Sequence, residues 1–224
     1  MIYALGLLLS IPSLCFAEAE TFWTDGYNKA LAGFYGEYES ISGPGSSMQQ
    51  THMIRAMIPE IIKKYTITSI FDLPCGDFNW MKHVDVGDCT YIGADVVKDL
   101  VLKNNSKYAN TKRAFMHLDV TRDQLPLADL IICRDLLVHL SNEDIIITLR
   151  NFKKSGAKYL LTTTFKSRAG NNDITSGDWR PLNLQVAPFR LPSPLEVINE
   201  RCTEQNGIYS DKSMALWRLD DINV

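Results

Sequence analysis

Two aspartates that follow short apolar segments are the residues of this chain best suited to chemistry. Asp72 stands near the end of Thr68–Leu73, and Asp95 ends the next apolar segment, 23 positions later. Both segments predict buried strands, and Gly76 lies in the turn after the first. An open α/β sheet binds a nucleoside with this arrangement, because the turn approaches the ligand through its backbone and the second carboxylate accepts hydrogen bonds from ribose hydroxyls.

The composition of the turn separates two kinds of nucleoside cofactor. The dinucleotide fingerprint G-x-G-x-x-G uses its glycines to make room for a pyrophosphate. Pro74, Gly76 and Phe78 occupy the equivalent positions here, so a pyrophosphate would fit poorly and a dehydrogenase is disfavoured. S-adenosylmethionine contains ribose and adenine but no phosphate, and it is therefore the better candidate cofactor.

A third acid extends the pattern. Asp119 comes near the end of the predicted strand Arg113–Val120, and the continuous apolar segment Ala128–Cys133 predicts a further strand covered on both faces. Successive parallel strands bring Asp72, Asp95 and Asp119 to the same carboxyl edge of the sheet, where ligands bind in this architecture. The alternative for each acid alone is a helix cap.

These motifs resemble those of the class I S-adenosylmethionine-dependent methyltransferases. The resemblance rests on Phe71–Asp77, Gly93–Asp95, Leu118–Val120 and Asp129–Leu140, and it covers about Ser40 to Phe165. It implies an α/β, Rossmann-like fold with a mostly parallel sheet and helices on both faces. The segment Met214–Leu219 fits the antiparallel C-terminal edge strand of that family.

The resemblance also implies roles for individual residues. Asp72 and Gly76 would lie at the methionine end of the cofactor, Asp95 would hold the ribose hydroxyls, and Asp119 would face the adenine amine. Pro74 and Arg134, which belong to the same motifs, complete the predicted cofactor-binding set. Pro74 departs from the glycine usual in the family's turn.

His139 is the predicted general base. It follows the fourth predicted strand, in the segment that faces the transferred methyl group in the family, and an imidazole with a pKa of about 6.5 suits proton removal from a hydroxyl. Asp135 would orient His139 or serve as the base itself. The alternatives are that His139 is a buried structural histidine and that Asp135 caps the following turn.

A long irregular segment, about residues 168–194, predicts a lid. Such segments in compact domains are usually functional or disordered. Its polar and aromatic residues predict contacts with a polar acceptor, namely Asp173, Asp178, Trp179 and Arg180. The alternative is an ordered loop in which Trp179 fills the core. The segment after it, Leu195–Cys202, predicts a helix.

The N-terminus carries a signal of another kind. Leu5–Phe16 is mostly apolar, and small Ala17 and Ala19 follow it. Residues 1–19 therefore resemble a secretory signal peptide or a weak anchor. No stable membrane span is expected. The first basic residue is Lys29, which disagrees with a typical signal, and S-adenosylmethionine is made in the cytosol. Residues 20–224 would form one methyltransferase domain with an aromatic-rich N-terminal helical cap.

Composition limits the class of acceptor. The net charge of −3 and the absence of a basic run argue against a nucleic-acid surface. The five cysteines lack the close spacing of a zinc site, so no metal is expected. The acceptor expected is a polar small molecule or a glycan, methylated on oxygen. The alternatives are methylation of a protein side chain and a non-catalytic module that binds the cofactor or a partner.

Overall fold

The computed structural model describes residues 16–33 and 38–224, which form one α/β unit. The helices are α1 (Phe16–Leu31), α2 (His52–Lys64), α3 (Lys98–Tyr108), α4 (Asn142–Lys154) and the single turn α5 (Glu204–Gly207). The strands are β1 (Ser69–Asp72), β2 (Thr90–Asp95), β3 (Arg113–His117), β4 (Leu130–Cys133), β5 (Tyr159–Phe165), β6 (Glu196–Asn199) and β7 (Lys212–Arg218). Short 3₁₀ turns lie at Pro44–Ser46, Met81–His83, Leu137–His139 and Leu219–Asp221.

The seven strands form one sheet in the order β3-β2-β1-β4-β5-β7-β6. Strands β1 to β5 are parallel to one another, whereas β7 is antiparallel to both β5 and β6. The predicted α/β class with a mostly parallel sheet is confirmed. The antiparallel strand near the C-terminus is also present, one position in from the edge because β6 covers it.

Helices cover both faces of the sheet because alternate strand residues point to opposite sides. On one face, Phe71 and Ile131 pack with the core residues of α4, namely Ile145, Leu149 and Phe152. On the other, Ile70 and Ile132 pack with α2 and α3 through Ile54, Ile58, Ile61 and Val101. This double covering explains why β4 reads as an uninterrupted apolar run.

The prediction of a helix over Leu195–Cys202 was wrong. Glu196–Asn199 is the edge strand β6, in which Val197 is exposed and Ile198 is buried and paired with Met214 of β7. The segment is too short to show a period, and its strand conformation comes from pairing with β7, a partner that is distant in sequence.

The predicted lid packs largely as part of the domain. Its second half places Leu182, Leu184, Phe189 and Leu191 in the core, and its first half lies against the 3₁₀ turn that contains His139. The predicted signal-like segment mostly falls outside the described residues, and only its end, from Phe16, lies within α1. Among the described residues, no helix is both long enough and apolar enough to span a bilayer.

Candidate active site

The turn after β1 is held close to the loop before α2. Gly76 has a φ of 53°, and a Cβ at this position would lie 2.3 Å from Ser42 Oγ, so only glycine fits. Asp77, the next residue, accepts hydrogen bonds from Ser40 Oγ at 2.8 Å and from the Ile41 amide at 2.9 Å. The loop Ser40–Ser46 is thereby fixed over the turn.

The acids at the ends of β1 and β2 are both buried. Asp72 accepts a hydrogen bond of 2.6 Å from the Tyr91 hydroxyl, and burial raises the pKa of Asp72 to about 7. Asp95 accepts from the amides of Gly76 at 3.1 Å and Val97 at 3.0 Å. Burial raises the pKa of Asp95 to about 6, although the two amides act in the opposite direction. The Asp95 carboxylate thus bridges the turn after β1 and the start of α3.

Asp119, after β3, has one carboxylate oxygen in use and one free. Its Oδ1 accepts hydrogen bonds from the amide and the hydroxyl of Thr121 at 2.9 and 2.7 Å. Its Oδ2 is buried and has no hydrogen-bond partner within residues 16–33 and 38–224, although the guanidinium of Arg122 lies 3.9 Å away. A buried carboxylate oxygen without a donor is costly, so this position favours a ligand that brings an N–H group.

Two cavities follow the carboxyl edge of the sheet. The smaller, of about 70 Å³, is lined by Asp119 and by apolar side chains that include Leu118, Val120 and Leu140. The larger, of about 820 Å³, lies within the range of about 300–1,000 Å³ typical of ligand pockets.

The two cavities are neighbours along this edge and share five lining residues: Trp23, Pro74, Asp95, Val96 and Leu136. Asp95 therefore stands between the buried oxygen of Asp119 and the turn at Gly76. That is the order in which a nucleoside with a polar tail would meet its adenine, ribose and tail contacts.

His139 lines the larger cavity from the 3₁₀ turn between β4 and α4. Its Nδ1 lies 2.9 Å from the carbonyl oxygen of Asp178, which fixes the tautomer with the proton on Nδ1. Its Nε2 has no partner among the described residues, and the ring meets Trp23 edge-to-face at 5.3 Å. Burial lowers the pKa of His139, so the imidazole is neutral near pH 7 with a free lone pair on Nε2.

Asp135 belongs to a group of buried ion pairs at the same edge. Its Oδ2 accepts a hydrogen bond of 2.7 Å from Lys212 Nζ, and Arg134 lies 3.3 Å from the same atom. Burial alone would raise the pKa of Asp135, but Lys212 and Arg134 hold it well below its usual range. Asp135 is therefore a permanently ionised group and a weak base. Its φ of 57° is held by the hydrogen bond from its amide to Thr163 Oγ1.

Arg134 acts as an anchor for the loop as well as a wall of the cavity. Its Nη2 donates to Glu200 Oε2 at 2.7 Å and to the carbonyl of Gly45 at 2.9 Å. Its Nη2 is thus used within the protein, whereas its buried Nε has no hydrogen-bond partner among the described residues, and its predicted contact with the cofactor remains a prediction.

The residues predicted to bind the acceptor lie in different places. Trp179 lines the larger cavity, and Asp178 contributes its carbonyl oxygen to His139. Asp173 instead accepts the amide of Asn142 at 2.8 Å, at the start of α4. The guanidinium of Arg180 is buried and donates to the carbonyls of Leu137 and Leu140 at 3.0 and 2.8 Å. The structure does not bring Asp173 or Arg180 to the cavity, and Arg180 holds the turn of His139 in place.

Solved structures share this architecture at low sequence identity. N-methyltransferase NodS from Bradyrhizobium japonicum WM9, in complex with S-adenosyl-L-homocysteine, matches with a TM-score of 0.60 and 12% identity over 86% of this chain and 97% of its own. Human N-acetylserotonin methyltransferase in complex with S-adenosylmethionine matches with a TM-score of 0.51 and 14% identity. That match covers 92% of this chain but only 66% of the human protein.

Magnesium protoporphyrin IX methyltransferase from Synechocystis PCC 6803, with bound S-adenosylmethionine, matches with a TM-score of 0.50 and 16% identity over 69% of this chain and 80% of its own. The chain has the class I methyltransferase fold. No protein-family model matches it, and no curated protein does.

Within the class I methyltransferase fold, several residues of the larger cavity escaped the sequence analysis. They are Trp23, Lys212, Glu204 and Tyr209. Trp23 gave a partial signal as a member of an aromatic-rich helix, whereas the others occur singly in segments without a motif. Among the described residues, no group of three or more His, Cys, Asp or Glu side chains is arranged to hold a metal ion.

Proposed function

We propose that this protein is an S-adenosylmethionine-dependent methyltransferase that methylates an oxygen of a polar small molecule or a glycan. One observation carries the cofactor part of this proposal. Asp119, whose buried Oδ2 has no hydrogen-bond partner among the described residues, lines a small cavity, and Asp95 lines both that cavity and the larger one that holds the Gly76 turn, in a protein with the class I methyltransferase fold.

The residues that line the two cavities match the adenine, the ribose and the methionine portion of the cofactor in turn. Asp119 would accept a hydrogen bond from the adenine amine, and apolar Leu118 and Val120 would pack against the base. Asp95 would accept hydrogen bonds from the ribose hydroxyls, since each of its oxygens receives one backbone amide and retains further acceptor capacity. The turn at Gly76 would lie beside the methionine portion.

When bound, S-adenosylmethionine would supply a methyl group on a sulfonium; an oxygen of the acceptor would bond to that methyl carbon in line with the breaking carbon–sulfur bond, and S-adenosylhomocysteine would leave as a neutral thioether. The protein's contribution is then to orient the acceptor and to remove its proton. His139 suits the second task because its Nε2 is unprotonated and free, and because Asp178 fixes the tautomer from the other side of the ring. Asp135, held ionised by Lys212, suits a fixed negative charge better than a base.

Binding is the first test of the proposal. We expect S-adenosylhomocysteine to bind with micromolar affinity in a calorimetric titration and NADH to give no heat of binding. Asp95→Ala should abolish binding, and Asp88→Ala, a change at a fully exposed carboxylate, should leave it intact. Failure of the wild-type protein to bind S-adenosylhomocysteine would leave a fold without this cofactor and would refute the proposal.

The base is tested by comparing two variants once an acceptor is turned over. His139→Asn can still donate a hydrogen bond to the Asp178 carbonyl but has no basic nitrogen, whereas His139→Ala loses both. General-base catalysis contributes about 10²–10⁴-fold, so we expect both variants to lose that factor in kcat and the acidic limb of the pH profile. An unchanged rate in His139→Asn would show that the acceptor needs no base.

A further inference from the structure

Three charged side chains converge on one glycine of the loop over the cavity. A Cβ at Gly45 would lie 3.5 Å from Glu204 Oε2, 3.6 Å from Asp135 Oδ2 and 3.7 Å from Lys212 Nζ. All four residues line the larger cavity. The charges therefore meet at one place on the cavity wall.

The charges in this cluster do not balance. Arg134 pairs with Glu200 at 2.7 Å and Lys212 pairs with Asp135 at 2.7 Å, which uses both cations. Glu204 is left with Lys212 at 3.9 Å, beyond hydrogen-bond distance, and with the weak thiol donor of Cys202 at 3.5 Å.

One carboxylate oxygen behind this wall lacks a hydrogen-bond donor among the described residues. Glu200 is almost wholly buried next to the lining residues Arg134 and Lys212, and its Oε1 is that oxygen. Buried charges are normally paired, and three carboxylates against two cations leave one negative charge uncompensated. This end of the cavity therefore favours a positive group on its ligand.

Aromatic rings line the cavity beside the cluster. Trp179 and Tyr209 meet edge-to-face at 4.9 Å between ring centroids, and Phe165 lies 6.1 Å from Trp179. Phe165 is the register partner of Lys212 across β5 and β7, so the two side chains lie on the same face of the sheet. Arg168 already lies over the rings of Phe165 and Tyr209, at 6.0 and 5.8 Å from their centroids. Electron-rich ring faces attract cations, so the ring of Trp179 and the second face of Tyr209 add to the attraction of the uncompensated carboxylate.

We propose that the methyl acceptor carries an ammonium group, recognised by Glu204 and by the rings of Trp179 and Tyr209. This inference rests on the proposed function and narrows its acceptor class. The ammonium serves recognition and keeps its charge, while a separate hydroxyl of the same molecule is the group that His139 would deprotonate. An anionic acceptor would instead meet the excess of carboxylates.

Three probes of nearly the same shape test the charge preference. Tyramine is cationic, tyrosol is neutral and 4-hydroxyphenylacetate is anionic, and all three share the phenol ring. We expect tyramine to bind about tenfold more tightly than tyrosol, and 4-hydroxyphenylacetate to bind most weakly. Titrations on both free and S-adenosylhomocysteine-saturated protein give this order whether or not the cofactor analogue binds, so the two proposals can fail separately.

Two variants assign the preference to the named residues. Glu204→Gln keeps the shape of a partly exposed side chain and should bring tyramine to the affinity of tyrosol, and Trp179→Leu should weaken tyramine more than tyrosol. Glu60→Gln, at an exposed position on α2, should leave the order intact. Equal affinities for the three probes in the wild-type protein, tighter binding of the anion, or no binding of tyramine would each overturn the inference.

The alternative is that the uncompensated carboxylate attracts the sulfonium of the cofactor and not an ammonium group of the acceptor. S-adenosylmethionine carries the sulfonium and S-adenosylhomocysteine does not. If Glu204→Gln weakened the first ligand relative to the second and left the probe order unchanged, the charge would serve the cofactor and the inference would be wrong. We expect the variant to bind both cofactor forms as the wild-type protein does.

Discussion

Replacing Asp119 by asparagine should exchange the purine that the small cavity accepts. The two donors of Thr121 engage Oδ1 of Asp119 at 2.9 and 2.7 Å. Since the backbone amide of Thr121 can only donate, the asparagine carbonyl oxygen must take this position. The asparagine NH₂ then occupies the place of the free Oδ2, so a donor faces the cavity where an acceptor stood.

The size of the effect follows from the hydrogen bond that the substitution removes. A hydrogen bond to a charged group contributes about 1.5–3 kcal/mol, and each 1.4 kcal/mol is about tenfold in affinity. S-adenosylhomocysteine should therefore bind Asp119→Asn roughly 10- to 100-fold more weakly, with a further penalty from the two donors that face each other. S-inosylhomocysteine presents a purine oxygen in place of the amine, so it should bind the variant more tightly than the wild-type protein.

Calorimetric titration of both ligands against both proteins gives the four affinities needed. Asp88→Asn, at a fully exposed carboxylate, is the matched control, and thermal unfolding shows whether Asp119→Asn remains folded. Equal affinity of the variant and the wild-type protein for S-adenosylhomocysteine would refute the argument. It would mean that the free oxygen of Asp119 does not contact the adenine amine.

Two further predictions concern the neighbouring residues. The ribose hydroxyls would donate to the ionised form of Asp95, whose pKa is raised to about 6. The affinity for S-adenosylhomocysteine should therefore be full at pH 8 and about tenfold lower at pH 5, where roughly a tenth of the group is ionised. The affinity of Asp95→Asn should not change in this way with pH, and a constant wild-type affinity from pH 8 to pH 5 would contradict the assignment. Gly76→Ala should weaken binding of S-adenosylhomocysteine, because the new Cβ would lie only 2.3 Å from Ser42 Oγ. Gly87→Ala is the control: Gly87 has a φ of 58° and no atom within 4 Å of a Cβ, so this variant should show only the strain of the positive φ, about 1–2 kcal/mol in unfolding free energy. Equal destabilisation of the two variants, with binding intact in both, would show that the Ser40–Ser46 loop moves aside freely.

The sheet and its cofactor edge could be predicted because local patterns determine them. A strand buried on both faces shows as a continuous apolar run, as in Ala128–Cys133. An acid at its end is then placed by the geometry of parallel strands. Asp72, Asp95 and Asp119 all lie at or just after the strand ends where this argument puts them, whereas the hydrogen bond from the Gly76 amide to Asp95 was not predicted.

The acceptor side could not be predicted in the same way because its contacts are distant in sequence. Lys212 begins β7 and Asp135 follows β4, 77 positions apart in the chain, and no local pattern marks either as a partner. Arg180 looked like a ligand clamp from its neighbours, yet its guanidinium satisfies the carbonyls of Leu137 and Leu140. Composition showed that this segment was rich in hydrogen-bonding groups but not whether they would face a ligand or the protein itself.

Helix α1 connects the two cavities with the proposed base. Trp23 borders both cavities and also touches the ring of His139, and Phe22 packs on Gly177. A displacement of this helix would open the adenine end and, in the same movement, remove a support of the imidazole. Under the proposed function, both the enclosure of the cofactor and the support of the base would therefore depend on this single N-terminal helix.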